Sequence, residues 1–397
     1  MSGAPAVPAH YRLWGSELSP FALKLRALCD AASLSYRWLP ADGRRLDNAR
    51  AWWRIQRATS TRTAIRYPQP SDLDEYPLVP FLLADARVYY DSSALARWLD
   101  DRHPPAVGPL CPADPTAAFV AQLLDEAFDE FGLYMAHHNR WVVSATTNNA
   151  GTRIAREFRR HLPPGATPFF GPWFARRQVR RLPYLFSVAP AGFAIPGLSP
   201  ALTPPSRPGF PPTHHLLDDA WLQYLAGTEA VLAHQPFLLG DRFTVADAST
   251  YGQLGMNLTD PTAADRMRAN APHTFRWVQS IRDRAHVGRA GAVYLSERLR
   301  PLLDVVWRTF VPLMQQNAAA HAAAQVRGER LFNERAFDRG QALYDGTLLG
   351  HAFRAVVKTF QVRVWQDLCT AWAATPADAQ ARISWLAETD VAAALQW

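Results

Sequence analysis

The chain has 397 residues, of which 48% are hydrophobic and 19% are charged, and its formal net charge is +7. These proportions describe a folded chain with room for two or three domains, and they exclude a disordered protein. Two of the 42 basic residues are lysines, Lys24 and Lys358, and the other 40 are arginines. Because no zinc finger, RNA-binding signature or basic zipper accompanies this charge, we expect no nucleic-acid partner.

The cysteines and the start of the chain bear on the cellular compartment. Cys29, Cys111 and Cys369 stand too far apart for a disulfide framework or a metal-binding pattern. The first residues lack the basic start and apolar core of a signal peptide, and no uncharged apolar run reaches the roughly 18 residues of a membrane-spanning helix. We therefore expect a cytoplasmic protein without a bound metal.

The first hundred residues predict alternating strands and helices after a disordered start at 1–10. "YRLWG" at 11–15 predicts a strand, apolar positions at helical spacing predict a helix over 20–32, and "SYRWLP" at 35–40 predicts a second strand. The long polar region that follows predicts one helix and a loop.

A hairpin and a helix complete this first unit. "PFLLA" and "RVYYD" are β-rich runs joined by two residues, which is typical of a hairpin. Ser92 or Ser93 then caps a last helix, which the prolines at 104 and 105 end. The order of elements predicts a compact α/β domain over residues 11–103, followed by a linker at 104–115.

The rest of the chain predicts an all-α domain over 116–290, enlarged by a helical extension at 291–397 that packs on it. Helical periodicity is found at 116–138, 215–234, 245–258, 272–285, 296–326 and 348–373. Residues 140–212 interrupt this pattern, because they are rich in proline, glycine, arginine and aromatic residues. Between 153 and 181, eight arginines stand against one acid, Glu157.

Three short motifs in the first domain carry more information together than singly. They are Ser19-Pro20-Phe21 between the first strand and helix, Val79-Pro80 before the hairpin, and Asp91-Ser92 at the last helix. Each alone is explained as a helix cap or a strand edge. In this order and spacing they resemble the thioredoxin-like N-terminal domain of glutathione transferases, and "SPF" is nearest to the serine-type tau class.

The second half of the chain supports the same resemblance. "FLLGDRFTVADAST" contains Thr244 and Asp247, a T-x-x-D capping box that begins a helix. It is similar to a helix start in the all-α domain of glutathione transferases. The resemblance covers about 10–138 and 213–286, and it implies a thioredoxin-like α/β domain followed by an enlarged all-α domain.

The resemblance implies specific roles toward glutathione. Ser19, with Ser16 as the fallback, would donate a hydrogen bond to the sulfur at a helix N-terminus, where a thiol of ordinary pKa near 8.5 is held as thiolate. Val79 would bind the cysteinyl backbone, and Pro80 would follow a cis bond. Asp91 would pair with the ammonium and Ser92 with the carboxylate of the γ-glutamyl group.

One end of glutathione has no assignable partner in the sequence. Arg54, Arg57, Arg62 and Arg66 all fit the residue that would bind the glycyl carboxylate. A domain that had lost glutathione binding would show the same pattern.

The function implied is conjugation of glutathione, as co-substrate, to a small hydrophobic electrophile in detoxification, without a permanent cofactor. Family members usually form dimers through both domains, which implies a homodimer. The electrophile pocket would be lined by Phe21, Phe128, Tyr134 and Trp141. A reductase is excluded, because serine at position 19 cannot form a mixed disulfide.

Two alternatives remain open. The chain could be a non-catalytic binding protein that keeps only the fold. It could also be a peripheral membrane protein, because residues 153–186 place arginines beside aromatic residues. A solvated insertion whose aromatics pack on the helical domain explains the same stretch, and its prolines favour that interpretation.

Overall fold

The computed structural model describes residues 11–66, 79–386 and 391–395. Its first part is a five-stranded sheet with three helices. The elements are β1 (Tyr11–Trp14), α1 (Pro20–Ala31), β2 (Tyr36–Leu39), α2 (Arg45–Ser60), β3 (Ile65–Arg66), β4 (Phe81–Ala84), β5 (Arg87–Tyr90) and α3 (Ser92–Arg102). The strand order is β2-β1-β4-β5-β3, with β1 parallel to β2 and antiparallel to β4. The predicted elements are confirmed, and β3 is an addition that pairs in parallel with β5.

The sheet divides its side chains between two faces. Leu13 and Leu82 pack with α1 and α3, whereas Trp14 and Phe81 pack with Ile55 of α2 on the opposite face. This is the alternation expected of strands covered by helices on both sides. The first domain is therefore thioredoxin-like, as expected. Residues 1–10, where a disordered start is predicted, lie outside the described residues.

The second part of the chain is mainly helical. Its helices are α4 (Pro115–Ala127), α5 (Leu133–His138), α6 (Ala150–Glu157), α7 (Thr167–Arg180), α8 (His214–Leu232), α9 (Val245–Met256), α10 (Pro261–Asn270), α11 (Pro272–Arg282), α12 (Arg300–Arg308), α13 (Phe310–Val326), α14 (Glu334–Asp338), α15 (Thr359–Ala374), α16 (Ala377–Leu386) and α17 (Val391–Ala394). A π-helical turn joins α4 to α5, and a second one, Asn139–Val143, follows α5. Among the described helices, none is long and apolar enough to cross a membrane.

The predicted insertion holds a helical hairpin. Helices α6 and α7 cross at Gly151 and Gly171, where an added Cβ on either residue would lie 2.7 Å from the carbonyl oxygen of the other. Glycine at both positions is what permits this approach of the two backbones.

The extension is not wholly helical, and here the sequence prediction is wrong. The helix predicted over 348–373 begins only at Thr359, and a hairpin of β6 (Leu343–Leu348) and β7 (His351–Val356) precedes it. Leu349 and Gly350 form the two-residue turn with φ of 49° and 78°. Positive φ at both positions suits the twist of a tight hairpin, but Leu-Gly is not a sequence that signals one.

One apolar core joins both domains and the extension. It includes Leu28 of α1, Tyr224 of α8, Phe310 of α13 and Trp365 of α15. Cys369 on α15 is buried as predicted, and burial raises the pKa of its thiol to about 11. The extension is therefore part of the same folded body as the helical domain.

A buried ionic cluster crosses the interface between the two domains. The Lys24 ammonium on α1 lies 2.7 Å from Asp125, 2.6 Å from Asp129 and 2.7 Å from the Ser93 hydroxyl, and Asp125 also accepts from Ser249. Burial alone would lower the pKa of Lys24, but the two carboxylates outweigh burial and raise it. The cluster ties α1 and α3 to α4 and α9.

We expect Lys24→Met to destabilise the protein by about 3 to 5 kcal/mol, because it leaves two buried carboxylates without a cation. Arg363→Met, which breaks the exposed pair with Asp367, is the control and should cost less than about 1 kcal/mol. Urea unfolding of both variants measures the difference. Equal losses would contradict this account of the interface.

The Lys24→Met effect should also depend on pH. Burial and the Asp125 charge raise the pKa of Asp129 to about 7, although Lys24 opposes them. Because the pKa of Asp129 is higher in the folded than in the unfolded protein, the contribution of this carboxyl to folding stability falls as the pH rises from about 4 to about 7. Without Lys24 the pKa of Asp129 rises further and this fall extends to higher pH, so the loss in Lys24→Met should be smaller near about pH 5 than near about pH 8.

Candidate functional site

Ser19 is the N-cap of α1, as the sequence predicts. Its backbone is extended, and its Oγ accepts a hydrogen bond from the Ala22 N–H at 3.3 Å. The side chain is half-buried. A hydroxyl that accepts through its oxygen can still donate its proton. Capping the helix and donating to a sulfur are therefore compatible roles for one residue.

The register of the sheet brings the three motifs to one edge. Trp14, the last residue of β1, pairs with Phe81, the first residue of β4, and Phe81 pairs with Tyr90, the last residue of β5. The turn that leads to Ser19, the Val79-Pro80 bond and Asp91-Ser92 each adjoin one of these three residues. They therefore emerge side by side at the same end of the sheet.

The Val79-Pro80 bond is cis, as the resemblance implies. Ser92 is buried and is the first residue of α3. The cap of α3, however, is Asp91 rather than Ser92 or Ser93, because the Asp91 Oδ1 accepts from the Ala94 N–H at 3.0 Å. The Ser93 hydroxyl is instead bonded to Lys24.

The backbone of Asp91 is unusual. Its φ is 77°, in the half of conformational space that residues other than glycine rarely adopt. Such conformations cluster at ligand-binding positions, where the surrounding structure maintains them. The conformation makes Asp91 a candidate for ligand contact in addition to its capping role.

The helical domain holds the turn before Ser19 from one side. Arg140, which is buried, donates to the Leu18 carbonyl at 2.8 Å and to both oxygens of Asp260 at 3.0 Å. Gly252 of α9 faces the start of α1 so closely that a Cβ there would lie 2.6 Å from the Pro20 carbonyl oxygen. The position of Ser19 thus depends on the second domain.

The insertion holds the same turn from another side. The Glu157 carboxylate accepts from the Ser16 hydroxyl at 2.5 Å, the Glu17 N–H at 3.0 Å and the Trp38 indole N–H at 3.3 Å. Burial raises the pKa of Glu157, and these three donors oppose the shift. The Ser16 hydroxyl already donates its proton to Glu157. The Ser19 hydroxyl is therefore the better placed of the two to donate a hydrogen bond to a sulfur.

The residues predicted to line a hydrophobic pocket lie in different surroundings. Phe128 packs edge-on against Tyr224, and Tyr134 stacks on Phe186, so both belong to the core. Trp141 lines a cavity of about 280 Å³ within the insertion. Phe21 is half-buried in the first turn of α1.

Sequence reasoning missed Lys24, Arg140 and Glu157 as supports of the site. Two signals in the sequence point to two of them. Lys24 is one of only two lysines, and Glu157 is the single acid among eight arginines between 153 and 181. Among the described residues, no group of three or more His, Cys, Asp or Glu could hold a metal ion.

Comparison with known proteins identifies two segments. The glutathione S-transferase N-terminal domain matches residues 18–102, and the glutathione S-transferase C-terminal domain matches residues 217–285. A comparison with curated proteins finds no match.

Solved structures are also similar to the chain, among them two described as glutathione S-transferases and one described as a beta-etherase. A glutathione S-transferase from Methylobacterium radiotolerans, in complex with glutathione sulfonate, is 18% identical, covers 72% of this chain and 100% of its own, and gives a TM-score of 0.35. One from Ceriporiopsis subvermispora, in complex with glutathione, is 16% identical over 71% of this chain and 100% of its own, with a TM-score of 0.40. A beta-etherase from Sphingobium is 14% identical over 69% and 98%, with a TM-score of 0.38.

The two family domains match in the expected order, and the first carries the motifs that meet at one edge of its sheet. The chain therefore contains segments that match both the N-terminal and the C-terminal domain of glutathione S-transferases.

Proposed function

We propose that the chain binds glutathione at the sheet edge where Ser19, Val79 and Ser92 meet, and transfers its thiolate to an electrophile. The observation that supports this proposal is the Trp14, Phe81 and Tyr90 register, which brings the three motifs to one edge of the sheet. The match to the two glutathione S-transferase domains suggests the ligand. Glutathione acts here as a co-substrate and not as a bound cofactor.

Each motif residue has a defined role in this proposal. The Ser19 hydroxyl donates to the sulfur, and the N-terminus of α1 adds its positive dipole, so the thiol loses its proton to water more readily. The Val79 backbone binds the cysteinyl residue. Asp91 pairs with the γ-glutamyl ammonium, and Ser92, with the first N–H groups of α3, binds its carboxylate.

The reaction is a nucleophilic transfer. The sulfur forms a bond to the electrophilic carbon, and the leaving group departs with the electron pair of the bond that breaks. Such conjugation would serve detoxification in the cytoplasm, with a homodimer as the assembly. The alternative hypothesis is a non-catalytic binding protein, which would show no turnover.

Thermal unfolding with millimolar glutathione tests binding, and conjugation kinetics test catalysis. A ligand at 100 times its Kd should stabilise the wild type by about 2.7 kcal/mol. Ser19→Ala should lose about 1 kcal/mol as a lost cap, keep most of the glutathione stabilisation, and lose turnover.

Asp114→Ala is the matched control, because Asp114 caps α4 through Ala117 in the same way but lies outside the proposed site. It should lose similar stability and keep turnover. If glutathione does not stabilise the wild type, the proposal is wrong. If Ser19→Ala and Asp114→Ala have equal turnover, Ser19 has no catalytic role.

Glu157→Ala should lower stability by about 2 kcal/mol, because it removes a partly buried acceptor of three hydrogen bonds. Turnover should fall as well, since the turn before Ser19 loses a support. Glu157→Gln keeps an acceptor of the same shape and should recover part of both losses. An alanine variant with wild-type stability and kcat would show that Glu157 does not position the turn.

A second candidate function, contact with an anionic membrane surface, is favoured by one face of α7. Phe169 is 76% exposed and Trp173 is 52% exposed, and Arg176 and Arg180 continue the same helical face toward solvent. The opposite face packs on α6 through Gly171. Aromatic side chains beside arginines suit a helix that lies in the plane of an anionic lipid surface.

Flotation with vesicles of phosphatidylcholine, with and without phosphatidylglycerol, tests this contact. The wild type should float only with the anionic vesicles, and less so at high salt. Phe169→Ser/Trp173→Ser should bind at least about tenfold more weakly, because each aromatic contributes about 1.5 to 3 kcal/mol when buried. Trp53→Ser, at another exposed tryptophan, is the control; equal loss in both variants would contradict the assignment.

A further inference from the structure

A cleft of about 400 Å³ lies between the first domain and the insertion. Arg26 of α1 contributes to one wall, and Arg153, Arg156 and Arg159 contribute to the other. The apolar part of its lining includes Leu18 and Trp38. Leu18 directly precedes Ser19, so the lining of this cleft adjoins, along the chain, the residue proposed to bind the sulfur.

Two carboxylates in the cleft already have partners. Glu17 pairs with Arg26 at 3.5 Å and with Arg153 at 3.3 Å. Glu157 accepts from Ser16, Glu17 and Trp38, as described above. The third acid, Asp42, is exposed at the rim. Glu17 is therefore shared between Arg26 and Arg153, and neither Glu17 nor Glu157 pairs with the other two arginines of the cleft.

Arg156 and Arg159 stand one helical turn apart and are both exposed. Within residues 11–66, 79–386 and 391–395, neither guanidinium forms a hydrogen bond or an ion pair. Each guanidinium presents its N–H donors in one plane, in a geometry that matches a carboxylate, and two of them lie on the same wall of the cleft. The cleft thus combines apolar lining residues with two arginines that have no anionic partner among the residues the structure describes.

We infer that this cleft binds the electrophile, and that the electrophile is an aromatic molecule bearing a carboxylate. The inference rests on the proposed function and changes its substrate class, since the sequence alone implies a purely hydrophobic electrophile. The aromatic part lies on Leu18 and Trp38, and the carboxylate is bound by Arg156 and Arg159. This arrangement directs the reactive carbon toward the sulfur at Ser19.

A matched pair of electrophiles tests the charge. 1-Chloro-2,4-dinitrobenzene and 4-chloro-3,5-dinitrobenzoate undergo the same substitution: the sulfur bonds to the ring carbon, chloride leaves with the electron pair, and the thiol proton goes to water. Arg156→Gln/Arg159→Gln should lower the ratio of kcat/KM for the benzoate over the benzene by about tenfold. The exposed control pair, Arg330→Gln/Arg339→Gln, should leave this ratio unchanged.

An unchanged ratio in the cleft variant, or an equal change in the control, overturns the inference. If neither electrophile is turned over, thermal unfolding with 3,5-dinitrobenzoate is measured in place of the rates. Stabilisation of the wild type that is lost in the cleft variant supports the site. A wild type that 3,5-dinitrobenzoate does not stabilise overturns the inference. Glutathione stabilisation, measured separately, reports on the proposed function, so the two failures are distinguishable.

Discussion

The geometry of the proposed site depends on the buried ion cluster of Lys24. An ammonium has three N–H donors, and the cluster offers it three acceptors: Asp125, Asp129 and Ser93. This match explains why a lysine stands here in a chain with 40 arginines and one other lysine, since the planar guanidinium of arginine suits a different arrangement of acceptors. Because a buried charge is tolerated only when paired, the cluster fixes how α1 and α3 sit on the helical domain. The two helix N-termini at the site are thereby held in one orientation.

Residues outside the family-matched segments complete the support of Ser19. Arg140 and Glu157 belong to neither matched segment, yet both bind the backbone or side chains of residues 16–18. The insertion is therefore part of the site and not an appendage. Its arginines also form one wall of the adjacent cleft, so a segment outside the matched domains is the one that would set substrate choice.

Much of the fold could be predicted from sequence because many of its signals are local. Alternating apolar residues, the Ser19 cap and the Thr244–Asp247 capping box each act over a few residues, and the structure confirms them. Asp91 was harder, because Asp and Ser cap helices about equally well. The hairpin at 343–356 was missed because Leu349-Gly350 lacks a recognised turn sequence. The roles of Arg140 and Glu157 depend on partners more than a hundred residues away, which periodicity cannot reveal.

The central claim is that Ser19 stabilises a glutathione thiolate. The most direct test is a pH titration of the ultraviolet absorbance of the thiolate of glutathione bound to the wild type and to Ser19→Ala. The account predicts a bound-thiol pKa well below the ordinary value of about 8.5 in the wild type, and a return toward that value in Ser19→Ala, at about 1.4 kcal/mol per unit. The same pKa in both proteins would contradict it and leave Ser19 as a helix cap alone.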